Sequence, residues 1–224
     1  QVGCLSKYSI VTIGSQIFFL SDEGVYTLQI AAQLELTAAG EPLSRDIDDV
    51  MQRINDDAAH RACACFADNR YYLALPLDGA TRNNTIVVYN TLNQGWESVD
   101  TYPESMKFDK LLTATCRGRK RVFGTAREGG VYLLEEKHDG DEVGVIGSDV
   151  YDVSPVQGQL ATRMYGFETP DIKRFNRMQI DVGFEKGDAY RIAARLENPD
   201  QQMDAQDHAH IEAGEQTIRR PIRR

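Results

Sequence analysis

Long apolar runs are absent from this sequence. No stretch approaches the roughly 20 apolar residues that a helix needs to cross a bilayer, so we predict no membrane span. The chain does not open with a basic region followed by an apolar stretch, and we therefore expect no signal peptide. Because its first residue is Gln rather than Met, we expect the chain to be a segment cut from a longer protein.

Cysteine is also scarce. The four cysteines, Cys4, Cys63, Cys65 and Cys116, are too few and too scattered for a disulfide framework. Cys63 and Cys65 alternate on a predicted strand, which would turn both thiols to one face. A Cys-x-Cys metal site is conceivable, but burial as small apolar side chains is the better interpretation. A reducing compartment is the corresponding expectation.

Basic residues are outnumbered, with 25 Lys and Arg against 34 Asp and Glu and a formal net charge of −9. This balance argues against a general nucleic-acid binder, which needs a basic footprint. The basic run 117–121 and the Arg-rich C-terminus are exceptions. Contact with phosphate is one interpretation of these runs, and a solvated hairpin tip or an intersubunit ion-pair surface is the preferred one.

Sequence motifs of catalysis are missing as well. There is no Gly-x-Ser-x-Gly, no phosphate-binding Gly loop and no His-Glu-x-x-His. Residues 135–142 superficially resemble a calcium loop but lack the ligand order of an EF-hand. His208 and His210 have no carboxylate partner at motif spacing. We therefore predict no enzyme, no cofactor and no catalytic, cofactor-binding or metal site.

A strand-turn-strand pattern is present three times, in residues 17–28, 70–89 and 121–134. Each copy joins a β-branched or aromatic run to a turn and to a second run that contains a Tyr, which is typical of β-hairpins. Self-similarity at a spacing of tens of residues is typical of β-propellers and repeat arrays. The first two copies lie farther apart than the last two.

Residues 42–55 account for the longer first interval. Their apolar residues follow helical spacing, Ser44 is a suitable N-cap, and Asn55 is a suitable end. These residues predict a short helix inserted between two sheets. The only Trp of the chain, Trp96, follows a turn, and a large ring at such a position fills the space between neighbouring sheets.

The pattern changes near residue 150. We predict a mainly β protein with two parts: a partial β-propeller of about three blades in residues 1–150, with the helical insertion at about 42–55, and a smaller β-sandwich-like antiparallel domain in residues 151–224, truncated at its C-terminus. Residues 197–217 read as a long surface loop, residues 135–147 as a connection, and the end of the chain as the first half of an unfinished hairpin.

With these features in place, the chain resembles the tail nozzle proteins (tail tubular protein B-like) of short-tailed bacteriophages. The resemblance covers most of the chain and lies in the order of structural phrases rather than in a catalytic motif. The phrases are Val2–Cys4 through Phe19–Tyr26, Pro42–Asp48, Arg70–Pro76, Val88–Asn90, Gly95–Glu97, Thr162-Arg163 and Thr169–Arg174. Candidate assembly or packing residues are Trp96, Thr162, Arg163, Pro170, Lys173 and Arg174.

This resemblance implies a structural virion protein of the tail, assembled in the host cytoplasm. It implies a sixfold ring of identical copies at the distal end of the tail tube, docked to the adaptor ring on the portal side and to tail fibres. Phage DNA would pass through the channel of this ring without sequence-specific binding. The chain departs from the family in holding about three blades rather than a closed propeller.

A second functional class stays open at this point. A propeller-type module could recognise carbohydrate or protein at a host surface with exposed aromatic side chains. Tyr71, Tyr102 and Trp96 are the candidates for that role.

Overall fold

A computed structural model describes residues 2–30, 36–38, 40–102, 106–127, 130–135, 141–144, 151–154, 158–159, 177–184, 189–192, 206–209 and 214–221. The protein is mainly β, and its strands pair antiparallel, as predicted. The chain divides into two compact units, Gln1–Gln157 and Gly158–Arg224.

The first unit contains three antiparallel sheets of consecutive strands, which we call the first, second and third sheets. The first sheet consists of β1 (Val11–Ile13), β2 (Gln16–Ser21), β3 (Gly24–Ile30) and β4 (Leu36–Ala38). The second consists of β5 (Cys63–Ala67), β6 (Arg70–Leu75), β7 (Thr85–Asn90) and β8 (Gly95–Thr101). The third consists of β9 (Phe108–Cys116), β10 (Arg119–Ala126) and β11 (Val131–Leu133). The strand pair β12 (Asp141–Gly144) and β13 (Tyr151–Ser154) follows.

The second sheet is buried on both faces along β6 and β7, whereas β8 is partly exposed. Side chains alternate across β6 and β7 between two apolar cores, because successive residues of a strand point to opposite faces. The first core, shared with the first sheet, takes Tyr71, Leu73, Leu75, Val87 and Tyr89 from the second sheet. The second core, shared with the third sheet, takes Tyr72, Ala74, Ile86 and Val88. The second sheet therefore lies between the other two.

Contacts between successive sheets concentrate at their first strands. β1 contacts β5, and β5 contacts β9. The first strands of the three sheets are therefore neighbours in space, in the same order as in the sequence.

The segment between the first and second sheets is helical but short. A 3-10 helix (Arg45–Ile47) leads into α1 (Asp48–Met51), and a second 3-10 helix follows (Asp56–Arg61). Ser44 lies at the N-cap position, as predicted, but its hydroxyl makes no capping hydrogen bond and instead accepts one from the Val25 backbone N–H at 3.0 Å. Asn55 does not end the helical region but caps the second 3-10 helix, where its side chain accepts from the Asp57 N–H.

The described residues of the second unit form two strand pairs. β14 (Arg177–Phe184) pairs with β17 (Gly214–Pro221), and β15 (Ala189–Ile192) pairs with β16 (Gln206–Ala209). The loop predicted for residues 197–217 was wrong, because β16 and the start of β17 lie within it. The end of the chain, predicted as the first half of a hairpin, lies in β17, which pairs along its whole length with β14. In the first unit, likewise, the predicted connection 135–147 contains β12.

The turn between β2 and β3 generates a test of how the first sheet meets residues 42–44. Gly24 has φ +122°, and a Cβ there would collide with the Ser44 hydroxyl. We expect Gly24→Ala to lower the free energy of unfolding by about 2–4 kcal/mol, because it combines backbone strain with a clash against a buried hydrogen bond. Urea denaturation followed by circular dichroism measures the change.

Two other glycines are matched controls for this substitution. Gly14 also has a positive φ, +59°, but a Cβ there meets open space, so Gly14→Ala should cost only about 1 kcal/mol. Gly3 has neither constraint, and Gly3→Ala should change stability by less than about 0.5 kcal/mol. Equal stability of all three variants would contradict this account.

Candidate functional site

Trp96 joins the second sheet to the first. It is the second residue of β8. Its indole N–H donates to the Leu43 carbonyl at 3.0 Å, and its ring lies edge-on to Tyr89 with centroids 5.2 Å apart. The Leu43 N–H in turn donates to the Val25 carbonyl of β3 at 2.7 Å. A continuous hydrogen-bonded path therefore runs from the second sheet through residue 43 to the first.

The turn before Trp96 is fixed by Asn90. Its side-chain oxygen accepts from the backbone N–H groups of Leu92 and Asn93 at 2.8 and 3.1 Å, and its amide nitrogen donates to Glu97 at 2.6 Å. Asn favours such turns because its short side chain can replace a backbone partner. The Arg70 guanidinium and the Asn90 amide both hold the pKa of Glu97 below its ordinary value, with Arg70 the larger cause. The polar turn thus positions the aromatic side chain.

Residues 6–9 form a second connection between the same two sheets. The Ser6 hydroxyl donates to the Ala62 carbonyl at 2.6 Å, just before β5. The Ser9 hydroxyl accepts from the Leu20 N–H of β2 at 3.0 Å, and the Ser9 carbonyl accepts from the Tyr71 hydroxyl of β6 at 2.9 Å. Both serines are buried, so these hydrogen bonds take the place of the hydrogen bonds to water that burial removes.

The predicted site residues have different outcomes. Trp96 lies between sheets, partly buried and packed against the first core. Thr162, Arg163, Pro170, Lys173 and Arg174 lie outside the described residues.

The proposed exposure of Tyr71 was wrong. Tyr71 is fully buried, because its ring packs against Phe18 at 5.3 Å while its hydroxyl is used by Ser9. Tyr102 packs edge-on to Phe108 at 5.1 Å. These two rings therefore serve packing within the first unit.

The outer face of the third sheet is apolar and exposed, a feature that the sequence analysis missed. Residues that pair directly across antiparallel strands share a face, so Leu112, Phe123 and Leu133 form one row on the side away from the second core. Leu112 is 40% exposed, Leu133 39%, and Val131 in the next row 68%. The signal available in the sequence was the presence of apolar residues at consecutive positions of β9 and β11.

The thiols of Cys63 and Cys65 both face the second core, as predicted. Burial raises the pKa of each to about 12, so neither is a thiolate near neutral pH. Among the residues that the structure describes, no group of three or more His, Cys, Asp or Glu side chains is placed to hold a metal ion.

No helix in the described part of the chain has the length and apolar character to cross a membrane.

No protein-family model matches this chain, and no curated protein matches it.

The hydrogen bond of Trp96 and the packing of its ring can be separated by substitution. Trp96→Phe keeps most of the ring but removes the donor to Leu43, and we expect a loss of about 1 kcal/mol. Trp96→Ala also removes the ring packed on the first core, and we expect a loss of about 2–3 kcal/mol. Urea denaturation by circular dichroism gives both values. Val99→Ala, at an exposed site of the same strand, is the control and should cost less than about 0.5 kcal/mol. Equal losses for Phe and Ala would show that the ring does not pack.

Thiol reactivity tests the burial of the cysteines. In the folded protein near pH 8 we expect an aromatic disulfide reagent to modify exposed Cys4 rapidly and to leave Cys63 and Cys65 unmodified. Unfolding in urea should make all four thiols accessible to the reagent. Cys4→Ser should remove the rapid phase, and rapid modification of Cys63 in the folded protein would contradict the structure.

The same thiols predict a loss of stability at alkaline pH. Their pKa values are raised above the ordinary value of 9.0 in the folded protein, so the unfolded chain releases protons that the folded chain retains. Their contribution to stability is complete below about pH 9 and declines as pH rises toward about 12. The double variant Cys63→Ala/Cys65→Ala should lose less stability between about pH 8 and about pH 10.5 than the parent. An identical pH dependence in both proteins would contradict this origin.

Proposed function

We propose that this chain is a structural virion protein, part of the nozzle at the distal end of the tail tube of a short-tailed phage. In this role it forms part of a ring of identical copies through which DNA is ejected and on which other tail proteins dock. Its chemistry is the burial of protein surface against protein. The proposal begins from the resemblance in the order of structural phrases and is supported by the arrangement of the three sheets.

The observation that carries the proposal is the incomplete stack of sheets. Consecutive antiparallel sheets pack face to face, their first strands are neighbours, and the last sheet presents exposed Leu112, Val131 and Leu133. This is the arrangement expected of a partial β-propeller of about three blades, in which each blade is one meander and the first strands lie innermost. Exposed apolar rows on a sheet face are typical of a surface that another protein covers.

The interior polar groups also support an assembly role. Ser6, Ser9 and Tyr71 use their hydroxyls to join residues 6–9 to the first and second sheets, and Ser44 uses its own to join the helical segment to the first sheet. These polar groups of the first unit are thus committed to holding sheets together rather than to a substrate. A carbohydrate-binding module would need aromatic rings open to a ligand, and Tyr71, the first candidate for that role, is buried.

The proposal is tested on the full-length protein that contains this chain. Native mass spectrometry and negative-stain electron microscopy of the purified protein should give a ring of identical subunits, and mass spectrometry of purified phage particles should find its peptides in the tail fraction. A monomer that binds glycans on an array would overturn the proposal in favour of the binding module. If the protein forms a ring in solution but is absent from phage particles, the assembly role stands and the virion role is disproved.

A further inference from the structure

Charge is segregated within the first unit. Residues 106–127 contain seven Lys and Arg against one Asp, whereas residues 40–57 contain six Asp and Glu against two Arg. The first range forms the hairpin of β9 and β10, and the second forms most of the helical segment between the first and second sheets. A chain with a formal net charge of −9 therefore has a basic region of opposite sign.

The basic charges lie at the tip of the hairpin. Arg117 and Gly118 make the turn, both with positive φ, and Arg119 and Lys120 begin β10. All four residues are exposed. The three ion pairs in the described residues use none of these three cations.

The acidic charges of the helical segment are similarly exposed. Its two arginines are engaged, Arg45 with Glu41 and Arg53 with Asp78. The remaining carboxylates are outside those ion pairs and exposed to solvent: Asp46, Asp48, Asp49, Asp56 and Asp57. Asp48 accepts a hydrogen bond from Gln52, which leaves four carboxylates for a cationic partner.

The second sheet separates the two regions. The helical segment packs on the first core through Val50 and Met51, and the hairpin packs on the second core through Leu111 and Val122. These cores lie on opposite faces of the second sheet. The basic tip and the acidic segment of one molecule are therefore held apart, and no ion pair joins them among the described residues.

From this arrangement we propose that the third sheet of one copy docks on the acidic helical segment of a second copy. Arg117, Arg119 and Lys120 would face Asp46, Asp49, Asp56 and Asp57, and the exposed row of Leu112 and Leu133 would supply the apolar part of the contact. Complementary charge steers the encounter and fixes its orientation, while the apolar row supplies burial.

Such an interface joins two different surfaces, so it is heterologous. Repetition of a heterologous contact closes into a ring or continues as a filament, depending on the rotation at each step. The contact gives the proposed ring a residue-level interface and rests on the proposed function only for its biological setting. Association in solution without incorporation into phage particles would disprove the virion role and leave this interface standing.

Sedimentation velocity of the 224-residue chain at several concentrations tests the interface. We expect association at low salt, about 0.05 M, and at least about tenfold weaker association at about 0.5 M, because exposed charges are screened at that ionic strength. Arg119→Glu/Lys120→Glu and Asp46→Lys/Asp49→Lys should each abolish association, since each variant brings like charges together. Circular dichroism verifies that both variants are folded.

An equimolar mixture of the two charge-reversed variants is the decisive sample. The acidic tip of one variant then meets the basic segment of the other, and the unchanged surfaces also remain complementary, so association should return. Lys7→Glu is the control, because it reverses one exposed positive charge outside both regions. This control should associate like the parent.

Three results would overturn the inference. A parent chain that stays monomeric at every concentration would remove the interface, and so would association that neither double variant changes. If the hairpin variant loses binding to a short DNA duplex, measured by fluorescence anisotropy, while self-association persists, the basic tip is a nucleic-acid surface instead. If one variant fails to fold, the other variant mixed with the parent still decides, because a complementary interface requires weakened association in that mixture.

Discussion

The burial of the second sheet on both faces is the constraint on which the rest of the first unit depends. Tyr71 and Leu73 point into one core while Tyr72 and Ala74 point into the other, so its central strands β6 and β7 have no face suited to water. Each large apolar side chain that leaves water contributes about 1.5–3 kcal/mol, and the net stability of a domain is only about 5–15 kcal/mol. Exposing either face would therefore cost an amount comparable to the whole stability. The first and third sheets are required for the second to fold.

Hydrogen bonds then determine how the sheets are aligned. Apolar burial has little directional preference, whereas the Ser44 hydroxyl accepts from one backbone N–H and the Trp96 indole donates to one carbonyl. Because these groups are wholly or partly removed from water, a shifted arrangement would leave a donor or an acceptor without a partner. The serines and the single Trp thus select one packing among several that would bury similar apolar area.

Local features of the fold were predictable from the sequence, and features that depend on distant partners were not. The hairpins followed from alternation and turn residues, both of which act over a few residues. The partner of Ser44 lies 19 residues away and that of Tyr71 lies 62 away. Cap preference therefore gave the position of Ser44 but not its hydrogen-bond partner, and side-chain polarity gave the wrong exposure for Tyr71. β16 was missed for a different reason: its residues Gln206–Ala209 are mostly polar, and a paired strand without apolar alternation leaves no periodic signal.

The two faces of the third sheet differ in how the described residues cover them. On the inner face, Gly124 has no side chain, and the Phe108 ring occupies the space where a Cβ would be. Phe108 also packs edge-on to Tyr102 and Tyr132, at 5.1 and 6.1 Å, so the inner face is completely filled. The outer face has the apolar row of Leu112 and Leu133 without such a ring to cover it. A sheet that is packed on its inner face and has exposed apolar side chains on its outer face is suited to binding another protein surface there. The basic tip of the β9–β10 hairpin, at the end of this face, therefore favours the approach of an acidic surface.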